Sequence, residues 1–91
     1  MNDYNRKIKA YLDSMKIDQS LNGYRYLIDA IRICLEDKKK LKKITDIYSI
    51  IADENSSNIN CIERGIGYSL SGLEISNKSF VSKAVYDIEA D

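Results

Sequence analysis

The fold of this chain is decided by residues 53–66, which read DENSSNINCIERGI. The first six residues are turn formers and N-capping residues, whose short polar side chains accept hydrogen bonds from the free N–H groups of a helix start. The following residues place Ile59, Ile62 and Ile66 at spacings of three and four, the period of one helix face. The stretch therefore predicts a polar turn followed directly by an amphipathic helix.

The outward face of this predicted helix carries the first candidate functional residues. At about 100° per residue, Cys61, Arg64 and Tyr68 point away from the apolar face. Asn60 lies on one shoulder, and Glu63 lies closer to the edge of the core. The expected core face continues beyond the quoted stretch and consists of Ile59, Ile62, Ile66, Leu70 and Leu73.

Glycine is an unusual choice inside this helix. Gly65 and Gly67 each cost about 1 kcal/mol relative to alanine in a helix interior, so the helix depends on tertiary packing for its stability. The missing side chains also allow another backbone to approach closely. Gly72 either ends the helix as a left-handed C-cap or is tolerated within it.

The remaining apolar residues also recur at helical spacing, so we expect almost no sheet. Ser20 or Asn22 is expected to cap the second helix, which is predicted to be the central core helix and to bury Cys34. A charged break precedes the third helix, and a second capping cluster at residues 76–79 precedes the last. The other predicted helices run from about Asn5 to Met15, from about Tyr24 to Glu36, over about 41–54, and over about 80–88.

The length and composition favour one compact domain. The chain has 91 residues, no proline and only four glycines, and a core of this size tolerates no long unstructured insertion. We therefore predict a single all-α helix-turn-helix domain over residues 1–91. It is a small bundle of about five helices, in which the third and fourth form the helix-turn-helix pair.

Several functional classes are disfavoured by what the sequence lacks. It has no run of 18 apolar residues and no secretory signal at its start, so we expect no membrane contact and a cytoplasmic protein. Cys34 and Cys61 are the only thiols and histidine is absent, so neither a disulfide framework nor a usual zinc site can be assembled. No phosphate loop or catalytic set stands out, and we expect no metal, no cofactor and no enzymatic activity.

The pair of helices joined by the polar turn indicates double-stranded DNA as a partner. A helix in the major groove needs a few side chains that reach base edges. Arg64 could pair bidentately with guanine, Glu63 or Asn60 could read cytosine or adenine, and Tyr68 lies on the same outward face. The alternative is an ordinary surface helix of a small bundle.

A run of cations supplies candidate phosphate contacts. The lysines could hold DNA phosphates at the entrance to the third helix, and the turn residues Ser57 and Asn58 could assist them. The alternative is a solvated face. Residues 1–52 carry a net charge of +4 (eleven cations, seven anions) and residues 53–91 carry −4 (three cations, seven anions), which weakens the DNA interpretation. The run consists of Lys38, Lys39, Lys40, Lys42 and Lys43.

Four fragments of the chain stand in a recognisable order: GYRYLIDAI at 23–31, IT and YSIIA within 44–52, IERGI at 62–66 and SNKSFV at 76–81. They resemble Gly-Tyr-x-Tyr-Leu-Arg-x-Ala-Ile, Val-Thr with Tyr-Pro-x-Ile-Ala, Val-Glu-Arg-Ala-Ile and Thr-Asn-Ser-Glu-Phe-Ile. These four motifs are those of the C-terminal DNA-binding effector domain of the sporulation initiation response regulator. The resemblance implies a helical bundle around a helix-turn-helix, with DNA-contacting roles for Glu63 and Arg64.

The departures from that family are equally informative. Cys61 stands where the family has an arginine, and Gly67 and Tyr68 stand where it has Arg-His, so much of the cationic reading surface is missing. The segment between the recognition helix and the last helix is shorter. No receiver domain, and hence no phosphorylation switch, is expected.

The leading hypothesis is a stand-alone DNA-binding protein that reads a specific site, as a transcription regulator linked to sporulation. A single small domain buries little surface, so we expect a homodimer or a protein partner. One alternative is a mobile-element accessory protein for DNA recombination, resembling an excisionase or recombination directionality factor, with a recombinase as partner. The other is a protein-interaction module that antagonises a related regulator.

Overall fold

The computed structural model describes residues 4–90 and places them in a bundle of helices. Residues 1–3 and 91, which the predicted domain also includes, lie outside the described residues. The described part contains no strand, and none of its helices is long and apolar enough to span a membrane. The elements are α1 (Tyr4–Ser14), α2 (Asn22–Glu36), a 3-10 helix (Lys38–Lys42), α3 (Ile44–Glu54), α4 (Ile59–Ser69) and α5 (Asn77–Ala90).

The predicted all-α bundle of about five helices is confirmed, but the expected cap of α2 is wrong. The N-cap position is occupied by Leu21, which makes no capping hydrogen bond with its side chain. The hydroxyl of Ser20 instead donates to the carboxylate of Asp18 at 2.7 Å, and Asn22 is already the first helical residue. Ser20 thus stabilises the turn before α2 and does not cap the helix.

The third helix begins later than expected. Residues 38–42 form a separate 3-10 helix, whose first turn is capped by the Asp37 carboxylate, which accepts the Lys39 N–H at 3.1 Å. At Lys43 the backbone leaves the helical region, with φ −134°, and α3 starts at Ile44. Leu41 therefore packs against the core from the 3-10 helix and not from α3.

The fourth helix begins where the capping cluster predicted and is shorter at its other end. The side chain of Asn58 accepts the Cys61 N–H at 2.9 Å, which caps the start of α4. The helix ends at Ser69, so the core face shrinks to Ile62, Ile66 and Leu70. The expectation that Ile59 and Leu73 are core residues is wrong, because each lies at one end of the stripe and is 40% exposed.

The segment after α4 also departs from the sequence interpretation of Gly72. Leu70 is the C-cap, and its N–H bonds to carbonyls of the last turn of α4. Gly72 lies in the following turn without a positive φ, so it is neither a left-handed C-cap nor a helix-interior residue. Glu74, two residues after Gly72, adopts the left-handed conformation, with φ 52°.

Helix α2 is the central element, as predicted. It contacts each of the other four α-helices, and ten of its fifteen residues are buried, so every other helix packs on its surface. Cys34 lies fully in this core, where burial raises the pKa of its thiol to about 11 and keeps it protonated. The burial of each large apolar side chain stabilises the fold by about 1.5–3 kcal/mol.

The tightest approach between helices is the crossing of α2 and α4, where two glycines face each other. A Cβ atom on Gly23 would lie 2.1 Å from the Gly65 carbonyl oxygen and 2.7 Å from the Ser69 Oγ. A Cβ atom on Gly65 would lie 3.0 Å from the ring of Tyr26. The expected close backbone approach is thus confirmed at Gly65, but not at Gly67, where the nearest atom would be 3.8 Å away.

Replacing Gly23 with alanine should destabilise the fold by about 3 kcal/mol or more, because the new methyl group meets backbone that cannot move without separating α2 from α4. The matched control is Gly67→Ala, which has room for the methyl group and should gain about 0.5–1 kcal/mol from helix propensity. Urea unfolding followed by circular dichroism measures both. Equal stability of the two variants would contradict the proposed crossing constraint.

Candidate nucleic-acid interface

Helices α3 and α4 are joined by a tight polar turn over residues 55–58. The Asn55 side-chain amide donates to the Ile51 carbonyl at 2.7 Å, and the Ser57 N–H donates to the Ala52 carbonyl at 2.8 Å. Ser56 adopts a left-handed conformation with φ 51°, which reverses the chain. These bonds satisfy carbonyls at the end of α3, and the arrangement is compatible with a helix-turn-helix.

The position of α4 is held by Asn77, the first residue of α5. Its side-chain amide donates to the Tyr48 hydroxyl at 3.0 Å and to the Glu63 carbonyl at 3.1 Å, which ties α3, α4 and α5 together. Burial raises the pKa of Tyr48, while the hydrogen bond from Asn77 opposes that shift. The sequence indicated only a capping cluster here, and that role falls to Ser76, whose hydroxyl accepts the Ser79 N–H.

The outward face of α4 forms one wall of a groove, which we call the α4 groove. Three of the four predicted base-reading residues, Asn60, Arg64 and Tyr68, line it together and are exposed. The opposite wall is the start of α2. The complete lining is Leu21, Asn22, Gly23, Tyr26, Asn58, Asn60, Cys61, Arg64, Gly65 and Tyr68.

Glu63 is the predicted base reader that does not line the α4 groove. It lies on the other flank of α4, where its carbonyl accepts the hydrogen bond from Asn77. The charge of its carboxylate contributes to the raised pKa of the Tyr48 hydroxyl. Glu63 remains exposed, but it faces the side of α4 that adjoins α3 and α5.

The turn residues predicted to contact phosphates lie beside an acidic side chain. Ser57 and Asn58 line a shallow depression together with Asp53 and Asn60. The Asn58 side-chain oxygen is already engaged as the N-cap of α4, so its amide group is the part left for another partner. The carboxylate of Asp53 opposes an approaching phosphate at this point.

The lysine run lies at a different place from the α4 groove. It follows the last residue of α2, whereas the groove is lined by the first residues of α2. At 1.5 Å per residue, the 13 residues from Gly23 to Glu36 separate the two places by about 20 Å. The structure therefore does not bring the lysines beside Arg64.

Arg25 is a candidate residue that the sequence interpretation missed. Its guanidinium lies 5.9 Å from the ring centroid of Tyr26, which lines the α4 groove, and it donates to the Asn22 side chain at 3.3 Å. Arg25 is exposed at the start of α2. The apolar period of α2 predicts a core helix, and no local pattern marks its few exposed positions as binding residues.

The described residues hold no disulfide and no cluster of metal ligands. Both cysteines are free, with Cys34 buried and Cys61 exposed. Between residues 4 and 90, no cluster of three or more histidine, cysteine or acidic side chains could hold a metal ion.

A protein-family model described as "Sporulation initiation factor Spo0A C terminal" matches residues 8–86. The matched region begins within α1 and ends within α5, so it includes α2, α3 and α4 entirely and most of α1 and α5. The resemblance carried by the four sequence fragments is thereby confirmed. No curated protein and no solved structure matches the chain.

Replacing Asn77 with alanine should destabilise the fold by about 1–2 kcal/mol, because the part-buried Tyr48 hydroxyl and the exposed Glu63 carbonyl lose their donor. Chemical unfolding measures the change, and combining it with Tyr48→Phe in a double-mutant cycle isolates the bond between α3 and α5. The matched control is Lys78→Ala, one residue further along and exposed, which should change the stability by less than about 0.5 kcal/mol. An Asn77→Ala variant as stable as the parent would contradict the tie.

Proposed function

The chain belongs to the sporulation initiation factor Spo0A C-terminal family, a family of sporulation-associated DNA-binding domains, and from that premise we propose that it reads a specific DNA site through α4. The observation that carries the proposal is the placement of Asn60, Arg64 and Tyr68 side by side on the exposed face of α4. The opposite face of α4 is anchored in the core by Ile62 and Ile66. A rigid helix with an exposed polar face is what major-groove recognition requires.

Arg64 is the proposed principal base contact. Its guanidinium makes no ion pair among residues 4–90, whereas Arg32 on α2 is paired with both Asp29 and Glu36. The five N–H donors of Arg64 are thus available for a bidentate contact with guanine, the commonest specific contact of this kind. Asn60, one turn earlier on the same helix, is proposed to read an adjacent adenine.

The flanks of α4 supply secondary contacts. The guanidinium of Arg25 lies over the ring of Tyr26, which lines the α4 groove. Arg25 is proposed to contact a phosphate of the DNA strand that borders the major groove. Glu63, exposed on the other flank, is proposed to accept a hydrogen bond from a cytosine amino group. Tyr68, 69% exposed, packs its ring against the sugar or base edge at the rim.

We propose a transcription regulator that works as a homodimer or beside a protein partner. Specific protein–DNA interfaces bury about 1,000–2,500 Å² of protein surface, and single modules bury less. The exposed part of one eleven-residue helix supplies only part of that area. A second recognition helix is therefore needed for strong specificity.

The Arg64→Ala variant should lose about 1–3 kcal/mol of specific binding, or about 5- to 150-fold in affinity. The measurement is a mobility-shift titration against a duplex selected from an unbiased pool. The matched control is Arg32→Ala, which removes the same charge from an arginine already paired on α2 and should change the affinity by only about twofold.

Two outcomes of this experiment contradict the proposal. Unchanged affinity of Arg64→Ala for the selected duplex would overturn its role as the base reader. No shift of any duplex by the parent chain, even at low salt where phosphate contacts are strongest, would overturn DNA binding itself. That second outcome would favour a protein-interaction module instead.

A further inference from the structure

The lysine segment, residues 38–43, lies at the end of the bundle opposite the α4 groove. Helix α2 runs from the groove to the lysine segment and separates them by about 20 Å. Helix α3 also runs between the two places. Lys43 directly precedes α3, and Asn58 at the edge of the groove follows the turn after α3. The eleven residues of α3 span about 16 Å. Two helices therefore place the lysines and the groove at opposite ends.

Three lysines in the segment are free to meet an anionic partner. The side chains of Lys39, Lys42 and Lys43 are exposed and make no ion pair within the described residues. Lys38, by contrast, is held by the Glu89 carboxylate at 2.7 Å. The segment thus presents a local excess of positive charge that the fold does not neutralise.

The positive charge at the start of α3 is unfavourable for the stability of that helix. Lys43 occupies the N-cap of α3 and makes no capping hydrogen bond with its side chain, where serine, threonine, aspartate or asparagine would stabilise the helix. Lysines at a helix start also oppose its dipole. A residue that breaks a local stability rule in this way points to a role in binding.

The chemistry of the segment fits phosphates better than a protein or a lipid surface. The exposed large apolar residues of the described chain lie elsewhere, at Ile59, Tyr68, Leu73 and Tyr86. The only apolar residue of the segment, Leu41, is half-buried. Protein interfaces are depleted in lysine and enriched in aromatic residues, and membrane binding requires an apolar face, so a nucleic-acid backbone remains.

We propose that the lysine segment is a second, sequence-independent binding site for the DNA backbone, which holds a duplex segment other than the one read by α4. The molecule measures 33 × 28 × 23 Å, so a separation of about 20 Å between the lysine segment and the α4 groove is most of its length. One chain then bridges two DNA segments. The bridging role depends on the proposed function of α4, whereas the backbone contact does not.

The test is a capture assay in which an immobilised duplex carrying the selected site retains a second, labelled, random-sequence duplex. The parent chain should capture the second duplex. The Lys39→Gln, Lys42→Gln, Lys43→Gln variant should lose that capture and retain its affinity for one short duplex that carries the selected site. The loss of three phosphate contacts should also lower the salt slope of random-duplex binding by about 2.7. The matched Lys→Arg variant at these positions keeps the charge and should still capture.

One substitution distinguishes a loss of DNA capture from a loss of stability. Lys43→Ser introduces an N-cap side chain, so the melting temperature should rise while capture weakens. A variant that is more stable and bridges less strongly cannot owe its defect to unfolding.

Three outcomes would overturn the inference. The first is unchanged capture by the triple glutamine variant, and the second is a parent chain that binds its site but captures nothing. The third is an equal loss of affinity for a single short duplex that carries the selected site, which would place the lysines on the duplex read by α4. If Arg64 reads no site, random-duplex binding at low salt still tests the backbone contact of the lysines. The triple glutamine variant must then bind a random duplex more weakly than the parent chain.

Discussion

The structure depends on the close crossing of α2 and α4 at Gly23 and Gly65. Helix α2 is the central element of the bundle, and α4 is the helix that carries the proposed reading face. Their backbones meet where neither position leaves room for a side chain, since a Cβ atom on Gly23 would lie 2.1 Å from the Gly65 carbonyl oxygen. This contact sets how far α4 stands out from the bundle. It also creates the α4 groove, because the start of α2 forms the second wall.

A second tie fixes α4 from its other side. The amide of Asn77 bonds to the Tyr48 hydroxyl and to the Glu63 carbonyl, so α3 and α5 both restrain the helix. Arg64 and Asn60 then project from a helix held on both flanks, which reduces the conformational entropy lost in the proposed binding of α4 to DNA. The same tie explains why Glu63, although adjacent to Arg64 in sequence, belongs to a different surface.

The distribution of charge follows from this architecture. The chain has no net charge, and its surplus cations are concentrated in the lysine segment, about 20 Å along α2 from the groove. At α4, Arg64 lines the α4 groove, and the carboxylate of Asp53 lies in the neighbouring depression. The proposed sequence-specific contacts and the proposed phosphate contacts therefore lie at opposite ends of the molecule.

The sequence by itself determined the all-α class, the central place of α2, the start of α4 at its Asn58 cap, and the outward face with Arg64. These features depend on helical periodicity and on local capping, which act within a few residues. Only the tertiary structure decided that Ile59 and Leu73 are exposed, that Asn77 holds α4, and that the lysines lie far from the α4 groove. Each depends on how helices distant in sequence pack together, and no local pattern contains that information.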